Sequence, residues 1–246
     1  MIRIVGDGQI PEAKAFYDVR DALTFDRDVY LAAMLAPALG VNLKDEVIYN
    51  LEPLYDGCRS FSIGYLDVLR QNIVLDYSRQ NVEYLKTLGI KAFHMPYGYH
   101  RSLERVKPEI KDIDVLLIGS INPRRKHLLR WMRSEFDFLW AQNVYGVLRD
   151  NLVARAKVHI NVHFCEDHPL EVVRLNYLMA NHCNIVSERG NDSQVNDDYS
   201  MGVRYCTAEN LIEVCRDAIE HPVDGYDCIK AMPHDCSKAQ EWLRSN

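Results

Sequence analysis

Residues 158–188, reading VHINVHFCEDHPLEVVRLNYLMANHCNIVSE, constrain the fold more than any other part of the chain. A β-branched apolar run is followed by a polar loop, then a stretch with helical spacing, then a second apolar run. That is a strand–helix–strand crossover, which makes the two strands parallel and their sheet covered by helices. The connecting loop offers Glu166, Asp167 and His168, and Glu171 and Arg174 open the helix. Open α/β sheets bind ligands outside the carboxyl ends of their strands, so this loop is a candidate site.

The same alternation extends along the chain. Strands are expected at residues 2–5, 46–51, 73–75 and 91–94, with a mostly helical stretch from 11 to about 39 and helices near 65–70 and 79–88. After a charged connector, KPEIK at 107–111, strands are expected at 112–120, 138–141, 158–164, 184–187 and 203–206. Helices should fill 125–134, 149–156, 170–181 and 208–220. This predicts a bilobal α/β protein, residues 1–108 and 109–225, with a tail at 226–246 whose helix can pack back on the body. A cleft between such lobes is the default place for a ligand.

Composition removes several alternatives. With 48% hydrophobic residues the chain can bury a sizeable core, and its net charge of −6 gives no general attraction to a polyanion. No apolar run approaches the roughly 20 residues that span a bilayer, and the start MIRIVGDGQ lacks a leader pattern. A cytoplasmic protein is therefore expected. Seven cysteines, Cys58 among them, occur without a CxxC pair, which fits reduced thiols.

Four groups of residues could carry chemistry. Gly119, Ser120, Asn122, Arg124, Arg125 and Lys126 follow a buried strand and open a helix, a combination suited to a diphosphate, although a solvated basic face would read the same way. Glu171 and Arg174 are one helical turn apart, placed either to meet a ribose and phosphates or to pair with each other at the surface. His159 and His163 alternate on one strand near His168, which raises a metal, but no HExxH-type spacing accompanies them and no metal is expected. In the first half, Glu52, Asp76 and His94 follow strand ends, where a general base or a simple turn cap could sit. No Walker loop, GxGxxG or GxSxG elbow is present.

The ordered blocks YNLE, DYSRQN, HMPYGY, DIDVLLIGSINPRR, YGVLRDNL and, above all, INVHF followed by EVVRLNYLMANHCNIVSE resemble small GT-B glycosyltransferases, of the bacterial and viral kind related to family-4 and spore-protein-type enzymes. The resemblance spans residues 49 to 206. It implies two Rossmann-like lobes, a reduced first lobe on the acceptor side, a nucleotide-sugar donor held by the second, no metal or other cofactor, and a C-terminal helix crossing back. By position it places Gly119, Ser120 and Asn122 under the phosphates, Arg125 and Lys126 as their counter-charges, Tyr145 and Gly146 near the base, and His163, Glu171 and Arg174 around the ribose and diphosphate. Asp76, Glu52 and His94 become the base candidates if the reaction inverts. The common pattern has a glutamate and a glycine where this chain has Tyr177 and His182, which shifts the ribose contact to Glu171. The acceptor is open: a glycan, lipid-linked sugar, protein, small molecule or modified nucleic-acid base. A non-catalytic binding module on a GT-B body and a metal-dependent hydrolase using His159, His163 and His168 are the alternatives.

Overall fold

The computed structural model describes residues 1–54, 62–166 and 168–245; Cys58 and Asp167 lie outside them. In chain order the elements begin β1 (Ile2–Ile4), α1 (Tyr17–Ala22), β2 (Val29–Leu31), α2 (Ala36–Leu39), β3 (Val47–Asn50), α3 (Ile63–Arg70), β4 (Ile73–Asp76), α4 (Arg79–Thr87) and β5 (Ala92–His94). They continue with β6 (Ile113–Ile118), α5 (Pro123–Leu128), α6 (Met132–Glu135), β7 (Phe138–Ala141), α7 (Val147–Arg155), β8 (Ala156–Asn161), α8 (Val172–Ala180) and β9 (Ile185–Glu188). The chain ends with α9 (Ser193–Asp198), β10 (Arg204–Cys206), α10 (Leu211–Glu220), α11 (Tyr226–Lys230) and α12 (Ser237–Arg244). None of these helices is long and apolar enough to cross a membrane.

The chain divides into two compact units, residues 1–98 with 234–246, and residues 99–233. Each is built on a five-stranded parallel sheet, the α/β architecture expected from the alternating pattern. Residues 99–106, ahead of the boundary expected at 108, are fastened to the second unit. Tyr99 N donates to Met232 O at 2.7 Å, and Arg105 N and Val106 N both donate to Asn181 Oδ1 at 2.8 Å. Helix α12 belongs to the first unit, where Trp242 stacks on Phe93 with ring centroids 5.1 Å apart and Gln240 Nε2 donates to Thr24 O at 2.7 Å.

The two sheets differ in topology. In the second unit the order is β10-β9-β8-β6-β7, so the chain leaves β6 to one side for β7 and returns to its other side for β8. This reversal opens a crevice at the carboxyl ends of β6 and β8. The first sheet runs β1-β2-β3-β4-β5 without any reversal. The second core gathers Val115, Leu117, Val158, Ile160 and Val186 from strands, Met132, Leu211 and Cys215 from helices, and Leu129 from the turn after α5. Ile48, Val74, Tyr65, Leu69 and Leu85 anchor the first.

Three local expectations need correction. Strand β2 lies in a stretch read as helical; it is only Val29-Tyr30-Leu31, too short for a period of two to show, and pairing with β1 and β3 with Val29 and Leu31 fully buried decides it. The helix expected at 125–134 breaks into α5 and α6, and α9 and α11 sit in stretches read as connections.

Asp76, a candidate base, is fully buried at the end of β4. Asn50 Nδ2 donates to its Oδ2 at 2.7 Å, Ser78 N to Oδ1 at 2.8 Å and Asn81 Nδ2 to Oδ1 at 3.0 Å. Asn50 and Asn81 in turn donate to Glu52 O, at 2.8 and 2.9 Å, and Asn81 Oδ1 accepts from Leu54 N at 3.0 Å. Burial pushes the Asp76 carboxyl up to about 8, against the donor bonds that favour its charged form. The geometry makes Asp76 a tie between strand ends, with no oxygen turned outward. Asp76→Ala leaves several buried donors without an acceptor, and guanidinium unfolding at pH 5, closer to the unfolded carboxyl pKa so that the raised folded value costs less, should register a loss of about 2 kcal/mol. A loss below about 0.5 kcal/mol, within the range of an ordinary surface substitution, would contradict the tie.

Candidate functional site

At the carboxyl end of β6 the chain turns through Gly119 and Ser120 into α5. Asn122 caps this helix, its Oδ1 accepting from Arg125 N at 2.8 Å, and its Nδ2 donates to Phe164 O beyond the end of β8. Asn122 therefore ties the β6 turn to the β8 turn. Arg125 points inward and is 3% exposed. Its Nε and Nη2 donate to Val162 O at 2.9 and 2.6 Å, and Nη1 donates to Ser120 O at 2.9 Å. Burial, then the neighbouring Arg174 guanidinium, lower its pKa to about 10, so it stays a cation at neutral pH.

Gly119 leaves room for this packing. A Cβ there would lie 2.8 Å from Arg125 Nη1 and 3.7 Å from Arg174 Nη2, so both guanidiniums press against the strand end. Arg174 is half-buried on the first turn of α8, and its Nη1 donates to Asn161 Oδ1 at 2.8 Å. Among the described residues neither Arg125 nor Arg174 forms an ion pair with a carboxylate. Two cations thus meet at the β6–β8 crevice with neutral partners only. Lys126 is exposed on α5.

Asn161, the last residue of β8, is fully buried and joins the remaining groups. Its Nδ2 donates to Glu171 Oε2 at 2.8 Å and to Ser187 Oγ at 2.9 Å. Glu171 is the N-cap of α8 rather than a residue inside it, and its carboxylate turns back to the strand end, away from any surface pair with Arg174. His163 Nδ1 lies 2.8 Å from Glu171 Oε2, and its Nε2 lies 2.9 Å from Arg189 O. Both partners are acceptors, so both ring nitrogens carry protons and His163 is an imidazolium. Burial would lower the His163 pKa, but the Glu171 carboxylate outweighs it and the net shift is upward. Burial works equally against charge on Glu171, and His163, then Arg174 and His168, overcome it and hold the carboxyl well below its usual range.

A second ion pair closes the rim. Arg124 grips Glu188 with two bonds, at 2.9 and 2.6 Å, while His163 N donates to Glu188 Oε2 at 2.7 Å. Of the cations in the sequence run Arg124–Lys126, one is therefore paired, one is spent on backbone carbonyls and one is exposed.

His163, His168 and Glu171 bring potential ligand atoms within 4.8 Å of one another, so the histidine cluster forms with Glu171 in place of His159. His159 is buried elsewhere, with Nε2 3.1 Å from Val153 O, and burial lowers its pKa to about 4. An imidazolium at His163 has no lone pair to give a metal, so this donor set fits a cation poorly.

Other expected residues lie apart. Gly146 caps α7 with φ 56° and ψ −135°, a conformation open to glycine, and Tyr145 beside it is half-buried. Tyr177 OH donates to Asp150 Oδ1 at 2.6 Å and its ring lies 3.8 Å under the Arg149 guanidinium. His182 adopts the left-handed φ of 54° that ends α8, where a glycine suits best; Asp224 at 2.8 Å and the stacked Tyr226 ring at 4.2 Å hold it there. In the first unit Glu52 is half-exposed just past β3, and His94 ends β5 with Nε2 3.2 Å from Tyr77 O. Burial lowers the His94 pKa, leaving it neutral at pH 7.

Sequence reasoning missed Asn161 and the Arg124–Glu188 pair. The one available signal was an amide inside the apolar run VHINVHF, since a polar residue in a central strand needs partners.

The linkage of His163 and Glu171 gives a pH signature. The raised His163 pKa contributes stability that is complete below 6.5 and lost as pH rises through the folded value, and the depressed Glu171 pKa contributes only above about 4.5. The stability difference between the wild type and His163→Gln should be largest near pH 6 and shrink toward pH 9 in chemical unfolding. A difference that grows with pH would contradict the imidazolium assignment.

Comparison with known proteins agrees with this architecture. No family model matches the sequence. An uncharacterized protein of Acanthamoeba polyphaga mimivirus is 25% identical over 162 residues, covering 61% of this chain and 53% of that protein; the chain thus spans about half the length of this relative. Among solved structures, sucrose-phosphate synthase of Thermosynechococcus elongatus aligns with a TM-score of 0.54 at 11% identity, over 97% of this chain and 76% of that one. AviGT4, a glycosyltransferase involved in avilamycin A biosynthesis, gives 0.54 at 12% identity over 96% and 87%. TarM of S. aureus, solved with UDP among its ligands, gives 0.55 at 10% identity over 95% and 58%. The chain has the fold of GT-B glycosyltransferases, two Rossmann-like lobes each built on a parallel sheet.

Proposed function

We propose that this chain is a cytoplasmic glycosyltransferase that moves a hexosyl or pentosyl group from a nucleoside-diphosphate donor to a hydroxyl acceptor. The observation that carries the reading is the pair of guanidiniums, Arg125 and Arg174, packed against Gly119 at the topological switch point without a carboxylate partner among the described residues. A diphosphate leaving group gains negative charge as the glycosidic bond breaks, and fixed cations stabilise that charge most in the transition state. Arg174, half-exposed, makes the direct contact. Arg125 is the buried second charge that positions Ser120 and Gly119 below the phosphates, and exposed Lys126 adds a third cation. With three cations in reach, the reaction needs no metal in this reading.

Glu171 serves the site through its contacts with Asn161 and His163, holding the start of α8 and therefore Arg174 in place. If the reaction inverts, Glu52 and neutral His94 are the base candidates, since Asp76 is enclosed. Tyr177, engaged with Asp150 where the resemblance expects a carboxylate, favours a second reading as a non-catalytic nucleotide or glycan binder.

UDP is the first nucleotide to test, because TarM is seen with it, followed by GDP and ADP. At a concentration about 100 times its Kd, a bound diphosphate adds about 2.7 kcal/mol and should raise Tm by roughly 5–10 °C. Arg174→Ala should abolish that shift, and because it also strips the buried Asn161 Oδ1 of its donor it should lower the unliganded Tm by roughly 2–10 °C, so the shift is read against the variant's own unliganded Tm. No stabilisation by any nucleoside diphosphate would reject the proposal. Release of free diphosphate from a nucleotide-sugar separates the enzyme from the binder, which would release none.

A further inference from the structure

The segment 123–133, PRRKHLLRWMR, contains five cations and no acidic residue in a chain of net charge −6. The fold sorts it into two sides. Arg125, Leu129 and Met132 are buried, the last two in the core of the second unit, and Leu128 packs against that core. Lys126, His127, Arg130, Trp131 and Arg133 are left on the outer side, all exposed, with Trp131 58% exposed. Because Leu129 and Met132 point in, Trp131 cannot turn inward without unpacking them.

The outer cations are available. Among the described residues Lys126, Arg130 and Arg133 form no ion pair with any carboxylate, and the neighbouring acid Glu135 is already taken by Arg216 at 2.8 Å. Arg130 lies 5.7 Å from the Trp131 ring centroid and donates from Nη1 to His127 O, so the tryptophan is bracketed by positive charge.

We infer that this face docks on an anionic lipid surface, with Arg130, Arg133 and Lys126 against the headgroups and Trp131 at the interface between headgroup and acyl chain. Two physical points select a membrane as the partner. A tryptophan ring flanked by cations suits an interface that is wet on one side and apolar on the other. Each cation near an anionic leaflet gains about a fivefold increase in binding, and three unpaired ones give roughly a hundredfold preference over a neutral bilayer. A single-stranded nucleic acid would find one aromatic ring, where sequence-tolerant binding stacks successive bases on several. The inference shares only Lys126 with the proposed donor site, and its test is placed on Arg130, Trp131 and Arg133, which do not belong to that site.

The test uses the full chain and vesicles of phosphatidylcholine, with and without about 30 mol% phosphatidylglycerol, at low and at roughly 0.5 M salt, where screening is nearly complete within a few ångströms. Sedimentation should show strong preference for the anionic vesicles, lost at high salt. Arg130→Gln with Arg133→Gln should weaken binding about thirtyfold at unchanged Tm. A blue shift of tryptophan emission on binding should vanish in Trp131→Phe, although Trp140 and Trp242 remain. Equal binding to both vesicle types, or undiminished binding by the double variant, overturns the inference. So does tighter binding to an oligothymidylate than to anionic vesicles, which would assign the face to nucleic acid.

Discussion

The Asn161 side chain is the interaction on which the candidate site depends. A buried amide with two donors and an acceptor costs several kcal/mol unless each is matched, so whatever matches it is held to a fixed place. Here the matches come from β9 through Ser187, from the cap of α8 through Glu171, and from the first turn of α8 through Arg174. One strand residue thereby sets where the crossover helix begins and where its arginine points. The Glu171 carboxylate, once placed, keeps His163 charged, and His163 carries the constraint on to the backbone at Arg189.

The charges around this amide are distributed by burial rather than by count. Arg124 and Glu188 neutralise each other at the rim, and His163 and Glu171 do so below. Arg125 and Arg174 are left in surplus at the strand end, where the sheet order reverses and a crevice is built into the topology. Cations held against the turn by backbone and amide oxygens need no reorganisation to receive an anion. The first sheet is ordered without reversal, and Asp76, fully buried at its β4 end, is used to fasten strand ends.

The parts of the fold legible beforehand were those in which periodicity and length agreed. The second-unit strands are long enough for a buried apolar run to stand out, and β7 falls at residues 138–141 as expected. Strand β2 was hidden because three residues carry no period, and its identity comes from neighbours on both sides. At the site, Gly119, Asn122, Arg125, His163, Glu171 and Arg174 come together, but their jobs do not follow from residue type. Arg125 and Arg124 are adjacent in sequence, and only the packing shows that one is enclosed by carbonyls and the other paired with Glu188.

Residue order alone determined that segment 158–188 is a strand–helix–strand crossover, since the alternation of apolar runs with a helical period admits no other arrangement of parallel strands. It placed polar residues near most strand ends, but not at β8, which is expected to reach 164 and ends at Asn161 inside the apolar run. Only the tertiary structure decided what those residues touch. Hydrogen-bond partners such as Asn161 with Ser187, or His163 with Arg189, are 26 residues apart, and no local pattern encodes a contact across that distance. The same holds for protonation. Histidine is neutral or charged according to its neighbours, so His159 and His163, four positions apart on one strand run, are driven in opposite directions by burial without a carboxylate and burial beside one.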